Sequence, residues 1–337
     1  MIQARQSGAA LLLLLLVAVT GAAGWFLASG AAERSAARRA AEDAARLARA
    51  SDMILGYALA NARRPGELPF PDRHGDGNDD GNGDCITSWG TVQGKHLLGL
   101  FPAFLEQGCW PERPAFGAML TDAGGHRLWY AVARSLVRPQ DMLNSATDDG
   151  WLQVQGPAGP VAGQAAFVVF APGAATGDQQ RTANTQPGMY LDKVLLGGTL
   201  HDNADGDEQF VAASRGEAFN DRLAVMSRAR FMSALTRRVA RTLHRHLEAY
   251  RAAHGQYPFA ALADGTCSHG LAYGFYPLAP GDCGTAPAVP PDWFANQWLA
   301  VTTYQRAAAD QVTLQFLGCA ALFSLHPGGL AQTGDCA

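Results

Sequence analysis

A charge-free apolar stretch near the N-terminus constrains this chain more than any other feature. Residues 9–32 contain no charged side chain, and Leu11 to Leu16 are consecutive leucines. This stretch is long enough for a helix that spans a membrane, which needs about 20 residues. Because no proline occurs before Pro65, we expect one helix to continue from Ala9 to about Arg64. At about 1.5 Å per residue, that helix would be roughly 84 Å long.

The composition of the whole chain is typical of an ordered protein of two domains. Its 337 residues exceed the usual length of one domain, roughly 100–200 residues. Hydrophobic residues make up 48% of the chain and charged residues 17%, unlike a disordered chain. The formal net charge of -4 supplies no general attraction for nucleic acid, so we expect no nucleic-acid partner.

Six cysteines indicate disulfide bonds. None of them belongs to a Cys-x-x-Cys pair, which disfavours a zinc ribbon or a thioredoxin-type site. An even number of cysteines in an exported chain is typical of disulfides, which need an oxidising compartment. Six cysteines allow 15 pairings, so the count alone does not choose among them. The cysteines are Cys85, Cys109, Cys267, Cys283, Cys319 and Cys336.

Two parts of the chain resemble each other in the order of their motifs, which predicts an internal duplication. The offset between matched residues drifts from 193 at the ends of the two helical stretches to 155 near the last strands. A steady drift is typical of a shortened second copy. The pairs Cys85–Cys109 and Cys267–Cys283 are then equivalent, which leaves Cys319–Cys336. Matched segments are Leu68-Pro69-Phe70 with Tyr257-Pro258-Phe259, Gly99 to Pro102 with Gly274 to Pro277, residues 152–156 with 314–318, and residues 165–173 with 320–328.

Each copy has the pattern of a helix followed by an antiparallel sheet. The second helix is predicted over Asp221 to His254, because six apolar residues recur there at spacings of three and four and form a core-facing stripe. Segments rich in Val, Phe, Trp and Tyr predict strands. These segments are 127–133, 151–155, 166–170, 299–304 and 312–317. The stripe consists of Met232, Leu235, Val239, Leu243, Leu247 and Tyr250.

The N-terminus resembles that of type IV pilins and type II secretion pseudopilins. Gln6-Ser7-Gly8 followed by Ala9-Ala10-Leu11 is similar to the end of a prepilin leader, which a prepilin peptidase cuts after glycine. The resemblance implies processing between Gly8 and Ala9. Most members carry a glutamate four residues after the mature N-terminus, but here that position is Leu13, which favours a minor subunit. Two further segments resemble pseudopilins: Leu247 to Pro258 at a helix end, and loosely Asp122 to Tyr130.

Ordinary secretion explains the same N-terminus in another way. Ala28-Ser29-Gly30 is a small-residue site at which a signal peptidase would cut after an apolar core. A plain signal anchor would not be cut at all. Five arginines between Arg34 and Arg49 favour a cytoplasmic C-terminus by the positive-inside rule. The predicted disulfides outweigh that rule, because they need an oxidising compartment.

The resemblance implies an α+β fold: a long N-terminal transmembrane helix followed by two tandem pilin-like heads, each a helix packed on an antiparallel sheet. The function it implies is that of a minor pilin-like or pseudopilin-like subunit that assembles through its N-terminal helix into a type IV pilus or a type II secretion pseudopilus. Expected partners are other pilin or pseudopilin subunits, the prepilin peptidase and the inner membrane. The protein would cross that membrane once, with periplasmic or extracellular C-terminal domains. The alternative is a membrane-anchored or secreted binding protein outside any filament.

The expected domain limits follow from the resemblance to pilins and pseudopilins. They are a leader in 1–8, a transmembrane helix in 9–32, its continuation in 33–64, a first pilin-like domain in 65–220 and a second in 221–337.

An acidic loop in the first copy predicts a calcium site. Asp76, Asn78 and Asp80 alternate and precede a glycine, as at the start of a calcium loop, where alternate oxygens converge on one ion. The closing glutamate is missing, because position 12 is Thr87, although Asp84 can supply an oxygen. A solvated, turn-rich loop is the alternative. The predicted ligands are Asp72, Asp76, Asn78, Asp80 and Asp84, and a weaker candidate cluster is Asp202, Asp205 and Asp207.

No combination of residues in the sequence predicts an enzyme. The chain has no G-x-S-x-G, no H-E-x-x-H and no phosphate-binding glycine loop before a helix. His244 and Glu248 are four residues apart, which is typical of a helix surface pair. The second helix also carries an arginine-rich face. It would be a docking surface for an acidic partner subunit or for nucleic acid, or else a solvated face, which is the more common case. That face contains Arg237, Arg238, Arg241, Arg245 and Arg251.

Overall fold

The computed structural model describes residues 6–73, 80–84, 92–105, 116–137, 143–177, 179–181, 186–262, 270–277 and 298–336. The α-helices are α1 (Gln6–Ala60) and α2 (Arg228–His254). The strands are β1 (Asn82–Gly83), β2 (Leu98–Leu100), β3 (Phe104–Leu105), β4 (Trp129–Val132), β5 (Leu152–Gly156), β6 (Gly159–Ala171), β7 (Lys193–Leu196), β8 (Thr199–Asp202), β9 (Gln209–Val211), β10 (Arg222–Ser227), β11 (Tyr273–Phe275), β12 (Thr302–Ala308), β13 (Gln311–Phe316), β14 (Leu322–His326) and β15 (Gly329–Thr333).

Two sheets make up most of the fold. The first has the strand order β2-β4-β6-β5-β9, and β10 pairs with β6 beside this path. Its strands are antiparallel except for the parallel pair β5–β9. The second sheet is the antiparallel meander β11-β12-β13-β14-β15. The strands β1 and β3 form a small parallel pair, and β7 and β8 form a hairpin.

The predicted fold class, a transmembrane helix followed by two separate helix-on-sheet heads, is wrong. Among the residues that the structure describes, no helix is long and apolar enough to cross a membrane. Strands make up most of the elements, and the first sheet is not purely antiparallel. The heads are not separate either, since α2 contacts β6 and β10 of the first sheet as well as β15 of the second. One hydrophobic core therefore includes residues from both halves.

Helix α1 ends where its sequence stops supporting backbone hydrogen bonds. Asn61 follows the last helical residue, and its side-chain Oδ1 accepts a 2.9 Å hydrogen bond from the backbone N–H of Arg64. Pro65 has no N–H to continue the helix. Gly66, at a φ of +97°, turns the chain back so that its N–H donates to the carbonyl of Ala58 at 3.1 Å. The helix thus ends at Ala60, four residues before the predicted end at Arg64.

Helix α2 buries the predicted stripe and is capped at both ends. The predicted start at Asp221 is wrong, because Arg222–Ser227 form β10 and the helix begins at Arg228. The side chain of Ser227 accepts a hydrogen bond from the N–H of Arg230, and Gly255 ends the helix in the left-handed conformation at a φ of 76°. Five of the six stripe residues are buried, which confirms the helical periodicity, and Tyr250 is half-buried. The helix is thereby placed with its apolar face in the core.

The two sheets share one local arrangement near their first strands. The hydroxyl of Tyr130 in β4 donates to the carbonyl of Pro69 at 3.3 Å. The hydroxyl of Tyr304 in β12 donates to the carbonyl of Pro258 at 2.8 Å. Both tyrosines are fully buried, so each hydrogen bond satisfies a polar group inside the core. Each bond ties the segment after a helix to the second strand of its sheet.

A glycine lies opposite each of these tyrosines. Gly99 in β2 and Gly274 in β11 are their cross-strand partners. A Cβ atom at Gly99 would overlap the carbonyl oxygen of Asp72, and one at Gly274 would overlap that of Ala261. The residues that carry these carbonyls form equivalent isolated β-bridges, Asp72 with Leu100 and Ala261 with Phe275. Only glycine permits this close backbone approach.

Beyond these first strands the two sheets differ in topology. In the first sheet β6 lies beside β4, and β5 lies on the path beyond it, whereas the second sheet continues in chain order. The sequence matches β5 with β13 and β6 with β14, so matched segments do not hold equivalent positions in the sheets. Strand β10, just beyond the boundary predicted at residue 220, pairs with β6 of the first sheet.

The tyrosine hydrogen bonds can be tested by removing single hydroxyls. We expect Tyr130→Phe and Tyr304→Phe each to lower the free energy of unfolding by about 1 kcal/mol, because each leaves a buried proline carbonyl without its donor. Tyr273→Phe is the matched control, since Tyr273 is 64% exposed and should show no change. Urea denaturation measures all three variants, and equal stability of the buried variants and the control would contradict the role of these bonds.

Candidate functional site

The N-terminal half of α1 presents apolar side chains to solvent. The side chains of Leu13, Leu14, Leu15 and Leu16 are 59–70% exposed. Leu47 is the first α1 residue in the hydrophobic core, so the helix extends well beyond the folded body. The predicted processing residues, Gly8 and Ala9, lie in the first turn of this helix. An exposed run of leucines is the arrangement that a partner helix would cover.

The C-terminal half of α1 is clamped to the loop before β4. The Oδ1 of Asp43 accepts a 2.6 Å hydrogen bond from the backbone N–H of Ala123. The Nη1 of Arg46 donates to the carbonyls of Thr121 at 2.9 Å and Asp122 at 2.6 Å. This loop belongs to the segment that loosely resembles pseudopilins. Its role in the structure is to hold α1 against the sheet.

The side chain of Asp122 builds the clamping loop. It is 1% exposed, and its Oδ1 accepts hydrogen bonds from the N–H groups of Gly124 and His126, both at 2.8 Å. Its Oδ2 accepts from the N–H of Gly173 at 3.0 Å. One buried carboxylate thus joins the loop to the end of β6.

Two further buried carboxylates close the base of the β7–β8 hairpin. Asp192 precedes β7 and Asp221 precedes β10, and they are 2% and 5% exposed. The Oδ2 of Asp221 accepts from the N–H of Asp192 at 2.8 Å and from the Nδ2 of Asn203 at 3.0 Å. The Oδ2 of Asp192 accepts from the N–H groups of Asn220 at 2.6 Å and Asp221 at 3.2 Å. The hairpin is therefore fixed to the first sheet at both of its ends.

Burial and, to a smaller extent, repulsion from the Asp192 carboxylate raise the pKa of Asp221 to about 8. The hydrogen bond from Asn203, that from the Asp192 backbone and the charge of Arg181 act in the opposite direction. Asp221 is consequently largely protonated at neutral pH, so the pair carries one negative charge instead of two. When two carboxylates share a buried site, their repulsion usually keeps a proton on one of them.

The protein supplies its own cation beside these carboxylates. The charge of Arg181 interacts with Asp122, Asp192 and Asp221. Its guanidinium also donates hydrogen bonds to backbone carbonyls on two segments, among them those of Ala174 at 3.2 Å and Tyr190 at 3.1 Å. These carbonyls and carboxylates are thus engaged by an arginine. The network acts as a polar support for the hairpin and the sheet.

The predicted calcium loop is only partly described, because Asp76 and Asn78 lie outside the described residues. Asp72 is buried and its Oδ2 pairs with the Nη2 of Arg127 at 2.6 Å. Asp84 pairs with Arg73 at 3.8 Å, and Asp80 accepts from the N–H of Asn82 at 2.8 Å. The structure therefore uses these three carboxylates in contacts within the protein. Calcium binding stays a prediction.

The weaker acidic cluster forms a series of turns. Asp202 accepts from the N–H of Ala204 at 2.8 Å, Asp205 from that of Asp207 at 3.1 Å, and Asp207 from that of Gln209 at 2.7 Å. Burial raises the pKa of Asp205. In the described part of the chain, no group of three or more His, Cys, Asp or Glu side chains is arranged to hold a metal ion.

The arginine-rich face of α2 is largely engaged within the protein. The Nε of Arg238 donates to the carbonyl of Leu59 at 3.0 Å, near the C-terminal end of α1. Arg237 donates to Gln332 at 2.7 Å, and Arg251 forms an ion pair with Glu248 at 2.9 Å. Glu248 also accepts from the hydroxyl of Tyr257 and lies 3.5 Å from His244. Arg241 and Arg245 remain exposed.

No family model, curated protein or solved structure matches this chain. Its function is therefore argued from the arrangement of its own residues.

The structure contains the predicted disulfide between Cys319 and Cys336, which closes the C-terminal strands. The Sγ of Cys336 also lies 3.1 Å from the Oγ1 of Thr236, so the bond is joined to α2. The other four predicted disulfide cysteines lie outside the described residues, and their pairing stays a prediction. They are Cys85, Cys109, Cys267 and Cys283.

Sequence reasoning missed the buried carboxylates of the hairpin base. Asp192 and Asp221 are isolated acidic residues 29 positions apart in the chain, and no motif connects them. Asn203 lies beside Asp202 of the weaker acidic cluster, but its role depends on contacts with both aspartates. Only the fold of the hairpin brings these residues together, so no local pattern could have identified them.

The Asp192–Asp221 pair makes stability depend on pH. Between an ordinary value of 3.8 and a folded value of about 8, the folded protein keeps a proton on Asp221 that the unfolded chain loses. The stability that this proton contributes is complete below about pH 4 and is lost as pH rises to about 8. The loss is at most about 1.4 kcal/mol per pH unit. We expect Asp221→Asn, which stays neutral, to flatten this decline and to be the more stable form above pH 8.

The pH dependence is measured by thermal unfolding of the wild type and Asp221→Asn from pH 4 to pH 9. Glu217→Gln is the matched control, because Glu217 is an exposed carboxylate a few residues away. The control should keep the wild-type slope. Equal slopes for Asp221→Asn and the control would show that Asp221 does not hold the proton.

Proposed function

We propose that this chain is a minor pilin-like or pseudopilin-like subunit that assembles through helix α1 into a type IV pilus or a type II secretion pseudopilus. The observation that supports the proposal is the projecting helix with exposed leucines. The part of α1 before Asp43 is about 55 Å long at 1.5 Å per residue. Within this length, residues 13–16 present four exposed leucines away from the core of the folded body.

The energetics favour a partner for this surface. Fully burying one leucine side chain is worth about 1.5–3 kcal/mol, so the four exposed leucines at 13–16 are a strong drive for association. Soluble monomers rarely expose a large contiguous apolar patch, and such patches mark interaction sites. Helices of other subunits are complementary to this surface because ridges of side chains on one helix pack into the grooves of another.

The clamp on the C-terminal half of α1 supports the same role. Asp43 bonds to Ala123 and also lies 3.5 Å from the guanidinium of Arg222 in β10. Arg238 of α2 binds the carbonyl of Leu59 near the other end of the clamped half. The helix is held at two places about four turns apart. In a filament, the packing of the helix can set the orientation of the folded body only if the two are stiffly connected.

Leu13 favours a minor subunit over a repeating one. The glutamate usual at this position assists subunit packing in the family that the N-terminus resembles. Processing between Gly8 and Ala9 by a prepilin peptidase belongs to the same proposal. An inner-membrane location stays a prediction.

The second candidate function is an exported binding protein outside any filament. The Cys319–Cys336 disulfide favours export, because such bonds persist in oxidising compartments. The same disulfide is equally compatible with a filament subunit, which is also exported. The mature N-terminus and the role of the leucines distinguish the two candidates.

The N-terminus of the mature protein is the first measurement, by mass spectrometry of protein isolated from its host. We expect a chain that starts at Ala9, and we expect Gly8→Val to block this cleavage. Ser7→Ala is the neighbouring control and should leave processing unchanged. A start near Ala31 or Glu33 would instead indicate signal peptidase, and an intact Met1 would indicate a plain anchor. Either result contradicts the filament proposal.

Assembly is tested with two leucines of equal exposure. Leu14 on α1 is 70% exposed and Leu195 on the β7–β8 hairpin is 67% exposed. We expect Leu14→Arg to abolish co-purification with sheared filaments or with other pilin-like subunits, because a charge would be buried between helices. Leu195→Arg should co-purify as the wild type does. Equal recovery of both variants, at equal amounts in the cell, would contradict assembly through α1.

A further inference from the structure

The second sheet has one face that lies away from the core, and its strand register defines two rows of side chains there. Each row contains one residue from each of the five strands, β11 to β15. We call these ten residues the outer face. The first row is Tyr273, Gln305, Thr313, Ser324 and Ala331, and the second is Phe275, Thr303, Gln315, Leu322 and Thr333.

Alternation along the strands establishes which side each residue faces. The neighbours Tyr304, Val312, Leu314, Phe323 and Leu325 are fully buried in the core. Successive side chains of a strand point to opposite sides of a sheet, so the residues of the outer face point away from the core. Every one of the ten is exposed or half-buried.

The two rows of the outer face contain no Asp, Glu, Lys or Arg, although charged residues make up 17% of the chain. His326 at the end of β14 continues the same face beyond Ser324, where it pairs with Gly329. A nucleic acid or an anionic lipid surface would require lysine or arginine here. A basic partner would require carboxylates. Charge complementarity therefore favours a neutral partner.

The face is rich in groups that both donate and accept hydrogen bonds. Two glutamine amides and four hydroxyls, from three threonines and one serine, lie within the two rows. The hydroxyl of Thr303 donates to the carbonyl of Gln315 at 3.0 Å and still offers acceptor capacity. Desolvating these groups against an apolar partner would be costly. A partner covered in hydroxyl groups can exchange its hydrogen bonds with water for bonds to them.

Apolar surface on the same face adds a stacking site. Tyr273 stands at the edge strand with 64% of its side chain exposed, and Leu322 is 42% exposed. An exposed tyrosine ring combines a flat apolar face with a polar hydroxyl. The C–H faces of sugar rings pack on such a surface while their hydroxyls reach the amides beside it. Five strands at about 4.8 Å spacing give a flat strip about 19 Å wide.

We propose that the outer face binds a neutral polysaccharide, with Tyr273 as the stacking ring and Gln305 and Gln315 as the central hydrogen-bonding groups. The binding goes beyond the assembly proposed for α1 and does not depend on it. Because no charges take part, the affinity is insensitive to salt.

The test is affinity electrophoresis of the full-length chain in native gels that contain dextran, amylose, galactomannan or hydroxyethyl cellulose. A detergent without a sugar headgroup keeps the exposed leucines of α1 in solution. We expect at least one of these neutral polymers to retard the wild type equally at low and high salt. Dextran sulfate has the backbone of dextran with added charge and should retard the protein no more than dextran does.

Variants test whether the outer face is the surface that binds the polymer. We expect Tyr273→Ala with Gln315→Ala to weaken binding about tenfold or more, through the loss of one stacking contact and one amide. Gln209→Ala is the control, an exposed glutamine on β9 of the first sheet. Circular dichroism confirms that each variant is folded. The proposal is overturned if no neutral polymer retards the wild type, if only dextran sulfate does, or if the double variant binds as tightly as the control.

Discussion

Helix α2 is the element on which the rest of the described structure depends. Its apolar stripe is buried, and the helix contacts β6, β10 and α1 on one side and β15 on the other. Arg238 binds the carbonyl of Leu59, and Thr236 lies beside Cys336 of the C-terminal disulfide. Helix α2 covers part of each sheet, and α1 also packs on β6 and β10 of the first sheet. Two sheets of different topology consequently share one core.

The same packing gives α1 its two different halves. Its C-terminal half is held by Asp43 and Arg46 against the loop before β4 and by α2 behind it. In the part of its N-terminal half whose side chains the structure describes, Leu13 to Leu16 are exposed, and the first described α1 residue in the hydrophobic core is Leu47. A helix fixed at one end and apolar at the other suits attachment to neighbours. The outer face of the second sheet presents a different chemistry, without charge and with many hydroxyls, so the two surfaces suit different partners.

Buried polar groups support the described loops of the first half. Asp122, Asp192 and Asp221 each accept hydrogen bonds from backbone N–H groups, and Arg181 balances their charge. Hydrogen bonds from backbone N–H groups to buried carboxylates stiffen these loops, because a movement of the backbone would break them. The raised pKa of Asp221 is a consequence of placing two carboxylates in one dry site.

Periodicity and composition alone determined the local elements of this protein. The helical stripe of α2 and the strands in the predicted segments follow from residue patterns that depend only on neighbours in the chain, and the Cys319–Cys336 bond follows from matching the two copies along the sequence. Only the tertiary structure decided that α2 joins two sheets, that β10 pairs with β6, and that Asp192 meets Asp221. These contacts link residues far apart in the chain, and their energy comes from burial that exists only after folding. For that reason a pattern of two copies predicted two separate heads, whereas the folded chain has a single core.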